Sequence, residues 1–215
     1  MKSGKQTDWQ GLFQKLISKH EKRRHPLTYK SWYELVVKIV LAAQSTDDRV
    51  NQVSVELFKA YPSIRTMAAA KPEDLYQYIS SIRGFMKKSR WIVQICQELQ
   101  QHTDPPLNIK ELTKLPGIGR KTANFIIGEL GGKMEGIVVD LHAARIGQRL
   151  GFSKTGKPEE VENKIMKLVP QENWRDVGLS MTFLGRETCR PTDPSCPECI
   201  FMDACQYHLK SDNIK

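Results

Sequence analysis

Four cysteines stand near the C-terminal end in the pattern Cys189-x6-Cys196-x2-Cys199-x5-Cys205. They fall within 17 residues that also carry Pro191, Pro194 and Pro197. Such a segment cannot form one long helix, because each proline removes an amide donor and fixes φ. Beyond Ile200, Phe201 and Met202 it holds few large apolar side chains, so burial alone does not fold it. A metal centre gripped by the four thiolates would supply much of the folding energy. Zinc and a [4Fe–4S] cluster both accept four cysteines, and the spacing does not choose between them. The N-terminal stretch MKSGKQTDWQ lacks the apolar core of a secretory leader, so an intracellular chain with reduced thiols is expected. That makes metal binding a better reading than disulfides. Cys96 lies on an apolar helical stripe and reads as a small buried hydrophobe.

The remaining chain is patterned for helices almost throughout, and the fold class is all-α. Trp9, Leu12, Phe13 and Leu16 recur at helical spacing. Ser31-x-x-Glu34 is a capping box, and it opens ELVVKIVLAAQ, apolar nearly all round and so expected at the centre of a core. Pro72 suits the first turn of a helix, and Gly84 ends that helix. Gly136–Asp140 is a strand-like run, too short and solitary to make a sheet. No apolar run reaches the ~18–20 residues that span a bilayer, so no membrane partner is expected. The net charge of +9 favours a polyanionic partner, a property shared by ribosomal proteins, nucleases and membrane-surface proteins.

Residues 115–125 read LPGIGRKTANF. Gly117 and Gly119 let the turn adopt positive φ and let another backbone come close. Leu115 and Ile118 can pack beneath it. The turn then delivers a helix N-terminus, which favours an anion. This is a helix-hairpin-helix, which grips nucleic-acid backbone without reading sequence. A plain turn with a solvated Arg120 and Lys121 is the alternative. As neighbours those two lie roughly 100° apart on the helix, so they cannot face one ligand alike. A lysine in a cleft beside other cations becomes an amine nucleophile.

The run Gly136-Ile-Val-Val-Asp140 carries apolar residues straight into a carboxylate. Asp140 is placed to cap the helix that follows, and the cap would hold the carboxylate rigidly. His142 reads as a structural hydrogen-bonder.

Four segments together, VLAAQSTDDRVN, LPGIGRKTAN, VVDLH and GRETC-x6-C-x2-C-x5-C, resemble the endonuclease III family of DNA glycosylases, from about Ser31 to Tyr207. The resemblance implies a two-lobed helix-hairpin-helix glycosylase fold. A six-helix barrel would occupy 31–135, and a discontinuous domain of 1–30 and 136–215 would carry the cluster loop. It implies that Cys189, Cys196, Cys199 and Cys205 hold a [4Fe–4S] cluster. It implies that Lys121 attacks C1′ of the damaged nucleotide and that Asp140 is required for catalysis. DNA contacts would come from Leu115, Gly117, Gly119, Arg120 and Thr122 of the hairpin. Gln44 would fill the gap left by a base flipped into a cleft between the lobes, and Phe85 would wedge the duplex. Lys87 and Lys88, with Arg83 and Arg90, would leave the wedge region basic.

The implied activity is base-excision repair: removal of damaged bases, oxidised pyrimidines first, followed by β-elimination at the abasic site in duplex DNA. The alternatives are a glycosylase for mismatched thymine or uracil or for alkylated purines, and a non-catalytic redox-sensing DNA-binding protein. A monomer in the cytoplasm, or at the nucleoid of a bacterial or archaeal cell, is the default. Leu141, Met86, Ser89 and Leu184 depart from the family pattern, where Thr, Tyr, Lys and His are common. Leu141 and Met86 bear on substrate preference more than on reaction class.

Overall fold

The computed structural model describes residues 7–212. Residues 1–6, part of the N-terminal stretch expected to lack a secretory leader, lie outside the described residues. Every regular element among the described residues is helical, and no helix is long and apolar enough to cross a membrane. The chain divides into two compact units, one comprising Arg24–Lys133 and the other the chain up to Arg23 together with everything from Met134 onward.

In the unit of Arg24–Lys133, α2 (Trp32–Ala42) is the central helix. Leu35, Val36, Val37, Val40 and Leu41 on it are all buried. Ser31 caps it by accepting from Glu34 N, while the Glu34 carboxylate reaches Lys30 N at 2.8 Å, one residue before the usual capping-box partner. Helices α3 (Asp47–Ala60), α6 (Phe85–Leu99) and α8 (Arg120–Glu129) pack against α2. The short α4 (Ile64–Ala68) lies on α6, a 3-10 turn at Pro72–Leu75 leads into α5 (Tyr76–Ile79), and α7 (Ile109–Leu112) precedes α8.

In the other unit, α1 (Trp9–His20) and α9 (Leu141–Leu150) both pack on α11 (Trp174–Glu187). Helices α10 (Pro158–Met166) and α12 (Gln206–Asp212) pack on α9. The strand-like run before Asp140 is irregular; Gly178 of α11 lets it close in, since a Cβ there would sit 3.0 Å from Val138 O. An aromatic cluster joins distant segments: the Phe13 ring lies 5.3 Å from Phe201 and 6.3 Å from Phe152, and Trp9 stands 4.7 Å from Phe152. Phe201 thereby anchors the cysteine segment with a wholly buried ring.

Candidate active site

The hairpin turn joins α7 to α8. Leu115 and Ile118 are buried, and Ile118 N donates to Leu115 O at 3.2 Å. The two glycines do different things. Gly117 has φ +78, and a Cβ on it would lie 2.5 Å from Trp91 Cε3. Gly119 has φ −90, so the expected positive φ does not apply there; it faces open space, with nothing within 4 Å of a built Cβ. Gly119 is the N-cap of α8, and no side chain caps that helix. A helix N-terminus left so, beside a surface with no side chain in the way, accepts an anion such as a phosphate. Arg120 and Lys121, its first two residues, are both exposed, and Thr122 is half-buried. Leu115 differs from its expected role at the DNA surface. Its side chain is buried and its amide donates to Leu112 O at 3.1 Å, so it supports the turn from beneath.

Gln44 lies in the tight connection between α2 and α3, exposed, with φ 58. A non-glycine residue in the left-handed region costs about 1–2 kcal/mol and persists only where its surroundings hold it. Phe85 begins α6, half-buried, its ring edge-on to Tyr76 at 5.1 Å. Lys87 is exposed and its ammonium stands 4.6 Å from the Trp91 ring centroid, a cation–π contact. Lys88 overturns the expectation of a DNA contact. It is 5% exposed and its Nζ donates to Leu41 O at 2.8 Å and Ala43 O at 2.5 Å. It stands on the inward face of α6 in line with the buried Ile92 and Ile95, four and seven residues on, so its side chain enters the core.

Asp140 is the N-cap of α9, as its sequence position suggested. One carboxylate oxygen, Oδ1, accepts from Ala143 N at 2.8 Å and the other, Oδ2, from Thr182 Oγ1 at 3.1 Å. Thr182 escaped the sequence reading, since it lies 42 residues away on α11. Burial lowers the His142 pKa, against the raising influence of Asp140. A neutral ring fits its contact, Nδ1 accepting from the Arg145 guanidinium at 3.2 Å. Leu141, between them, is 70% exposed.

Cys189, Cys196, Cys199 and Cys205 line one small cavity with Arg149, Tyr207 and His208. Arg145 and Arg149, one turn apart on α9, hold the segment around Cys189. Arg145 donates to Cys189 O at 3.0 Å and Gly185 O at 2.8 Å. Arg149 donates to Cys189 Sγ at 3.1 Å and Arg190 O at 2.8 Å. Burial, reinforced by the three neighbouring cysteines, pushes the Cys199 thiol up to about 11. Four thiolates around one zinc ion stand about 3.8 Å apart, given Zn–S bonds of ~2.3 Å. Among the described residues no group of three or more His, Cys, Asp or Glu side chains is drawn together tightly enough to grip a metal ion as the side chains stand. Four cysteines lining one cavity are a donor set that a [4Fe–4S] cluster accepts.

The sequence profile of the HhH-GPD superfamily base excision DNA repair proteins matches residues 37–171. Endonuclease III of Thermotoga maritima is 36% identical over 192 residues, covering 87% of this chain and 90% of the relative. Two solved structures, a trapped endonuclease III–DNA covalent intermediate in an estranged-adenine complex and a non-covalent endonuclease III–DNA complex, each superpose with a TM-score of 0.85 at 33% identity. Each covers 97% of this chain and 100% of its own. The profile match over more than half of the chain makes this a base-excision DNA repair protein of the HhH-GPD class. Within that class the chain belongs to the endonuclease III family, and it is a DNA glycosylase and AP lyase.

Proposed function

We propose that the chain excises damaged bases, oxidised pyrimidines foremost, from duplex DNA through the amine of Lys121. The observation that carries this is the placement of Lys121 at the second residue of α8, two residues after the open-faced N-cap Gly119. The turn that receives the phosphate and the amine that attacks the sugar are one rigid piece. Neutral Lys121 Nζ bonds to C1′ as the C1′–base bond breaks, and the electron pair leaves on the base, which takes up a proton. The sugar ring opens to an iminium between Lys121 and C1′. Loss of a C2′ proton then expels the 3′ phosphate, and water releases the amine. Positive charge develops on the sugar as the base departs, and a fixed carboxylate stabilises it. Asp140, held through both oxygens, is assigned that role and the handling of the protons.

Gln44 and Phe85 are assigned to the opened base stack, because a base is reached only after extrusion from the duplex. Gly119 and Arg120, with Gly117 shaping the turn and Thr122 behind it, are assigned to the DNA backbone. Lys87 is assigned to phosphates beside the wedge. The four cysteines would hold a [4Fe–4S] cluster, which supplies a cross-link among segments that lack a core of their own. The protein is read as a monomer acting on DNA in the cytoplasm or nucleoid.

Borohydride trapping on duplex containing an abasic site tests the central claim. Wild type should give a covalent adduct and Lys121→Ala none; intact wild-type protein that gives no adduct would sink the lyase chemistry. The exposed Leu141 beside Asp140 favours a second substrate class, bases with an apolar 5-methyl edge such as mismatched thymine. A panel of thymine glycol, dihydrouracil, uracil, G·T mismatch and 3-methyladenine duplexes ranks them.

A further inference from the structure

We infer that Lys88 is a positioning residue, a latch that holds the Gln44 turn and the Phe85 end of α6 in one arrangement so that both side chains meet the duplex together. This rests on the roles proposed above for Gln44 and Phe85. Lys88 is nearly fully buried, yet its ammonium forms no ion pair with a carboxylate. It donates instead to two main-chain carbonyls 47 and 45 residues away, Leu41 O and Ala43 O. These lie at the C-terminal end of α2, where carbonyls have run out of helical amides and the dipole favours a cation. The carbonyl between them, Ala42 O, accepts from Ser45 N at 3.0 Å, and Thr46 Oγ1 caps α3 immediately beyond. Three successive carbonyls are therefore engaged around the residue that carries the left-handed φ of 58.

A strained conformation persists only where its surroundings over-determine it. Without the ammonium, the buried Leu41 carbonyl and the part-buried Ala43 carbonyl lose their donor and the turn relaxes toward an ordinary φ, carrying Gln44 with it. The same side chain springs from α6 one turn after Phe85, so the latch also sets where Phe85 stands relative to Gln44. Burial lowers the Lys88 pKa, as expected for an internal ammonium held by neutral dipoles.

The probe is a duplex with a tetrahydrofuran abasic analogue opposite 2-aminopurine, compared with an undamaged duplex. Lys88→Met keeps the volume and removes the donors; Lys88→Gln keeps a shorter donor and guards against a Met variant that fails to fold. For folded Lys88→Met, selectivity for the abasic duplex should fall about tenfold, the effect of losing roughly one strained conformation. The 2-aminopurine signal on binding should shrink, while affinity for undamaged duplex holds. Lys88→Gln should lie between. A purely structural lysine would lower thermal stability and leave selectivity and signal intact, and that result in either variant overturns the latch. Gln44→Ala separates the two ideas. If it retains the full signal, the assignment of Gln44 fails and the latch with it, while the Lys121 adduct is untouched.

Discussion

The two hairpin glycines should fail in opposite ways when each is given one methyl group. In Gly117→Ala the new side chain must sit at φ +78, which costs about 1–2 kcal/mol for an L-residue. Its Cβ would also lie 2.5, 2.9 and 3.1 Å from three Trp91 ring carbons. The ring can retreat only by disturbing α6 and the Lys87 ammonium on its face, and overpacking of this kind costs about 1–3 kcal/mol. The sum is about 2–5 kcal/mol, and at ~2–4 °C per kcal/mol for a chain of this size a value near the middle lowers Tm by about 7–14 °C. Gly119→Ala has neither penalty. Its φ of −90 suits alanine and its Cβ meets nothing, so Tm should stay within about 2 °C. The methyl group instead occupies the space a phosphate would enter. Loss of one charge-assisted amide contact, about 1.5–3 kcal/mol, weakens duplex binding about tenfold or more. Urea or thermal unfolding and a fluorescence-anisotropy titration at fixed salt read the two effects. A Gly117→Ala protein as stable as wild type, or a Gly119→Ala protein that binds duplex normally, would refute the division of labour.

Phe201→Ala should cost about 3–5 kcal/mol by emptying the pocket formed with Trp9, Phe13 and Phe152, and purified protein should lose iron on dialysis faster than wild type, read by iron analysis. Burial lowers the His20 pKa, with the ring on Phe183 and Nδ1 bonded to Leu16 O. The unfolded chain binds a proton below about 6.5 that the folded one resists, so this contribution is present above that pH and lost as pH falls through it. Thermal unfolding from pH 7.5 to 5.5 should show Tm declining, with a shallower decline in His20→Leu; an unchanged slope would remove His20 as a cause.

Local signals were legible in the sequence where one residue and its neighbours decide the structure. The Ser31 and Asp140 caps, the central apolar helix and the hairpin turn all follow from short-range rules. What stayed hidden depends on contacts across the chain. Lys87 and Lys88 are adjacent lysines with identical local chemistry, and only the rotation of α6 against α2 sends one to solvent and the other into the core. Gly117 and Gly119 look equivalent until Trp91, 26 residues before the first, fills the space beside it. Thr182 and the two arginines of α9 reach their partners over 40 residues or more, beyond any periodicity.

The two units are finished at different times as the chain is made. Arg24–Lys133 has all of its own partners once Lys133 has left the ribosome. Helix α1, made before that unit, waits for Phe152, α11 and finally Phe201 before Phe13 and Leu16 are covered. Closing so long an intervening loop adds little entropy beyond that of a shorter one, since the cost grows only as the logarithm of length. The burden is one of delay: an apolar stripe stays uncovered through most of translation, open to wrong partners. A helix made ahead of the whole Arg24–Lys133 unit is thus buried after it, and the cysteine segment completes that burial.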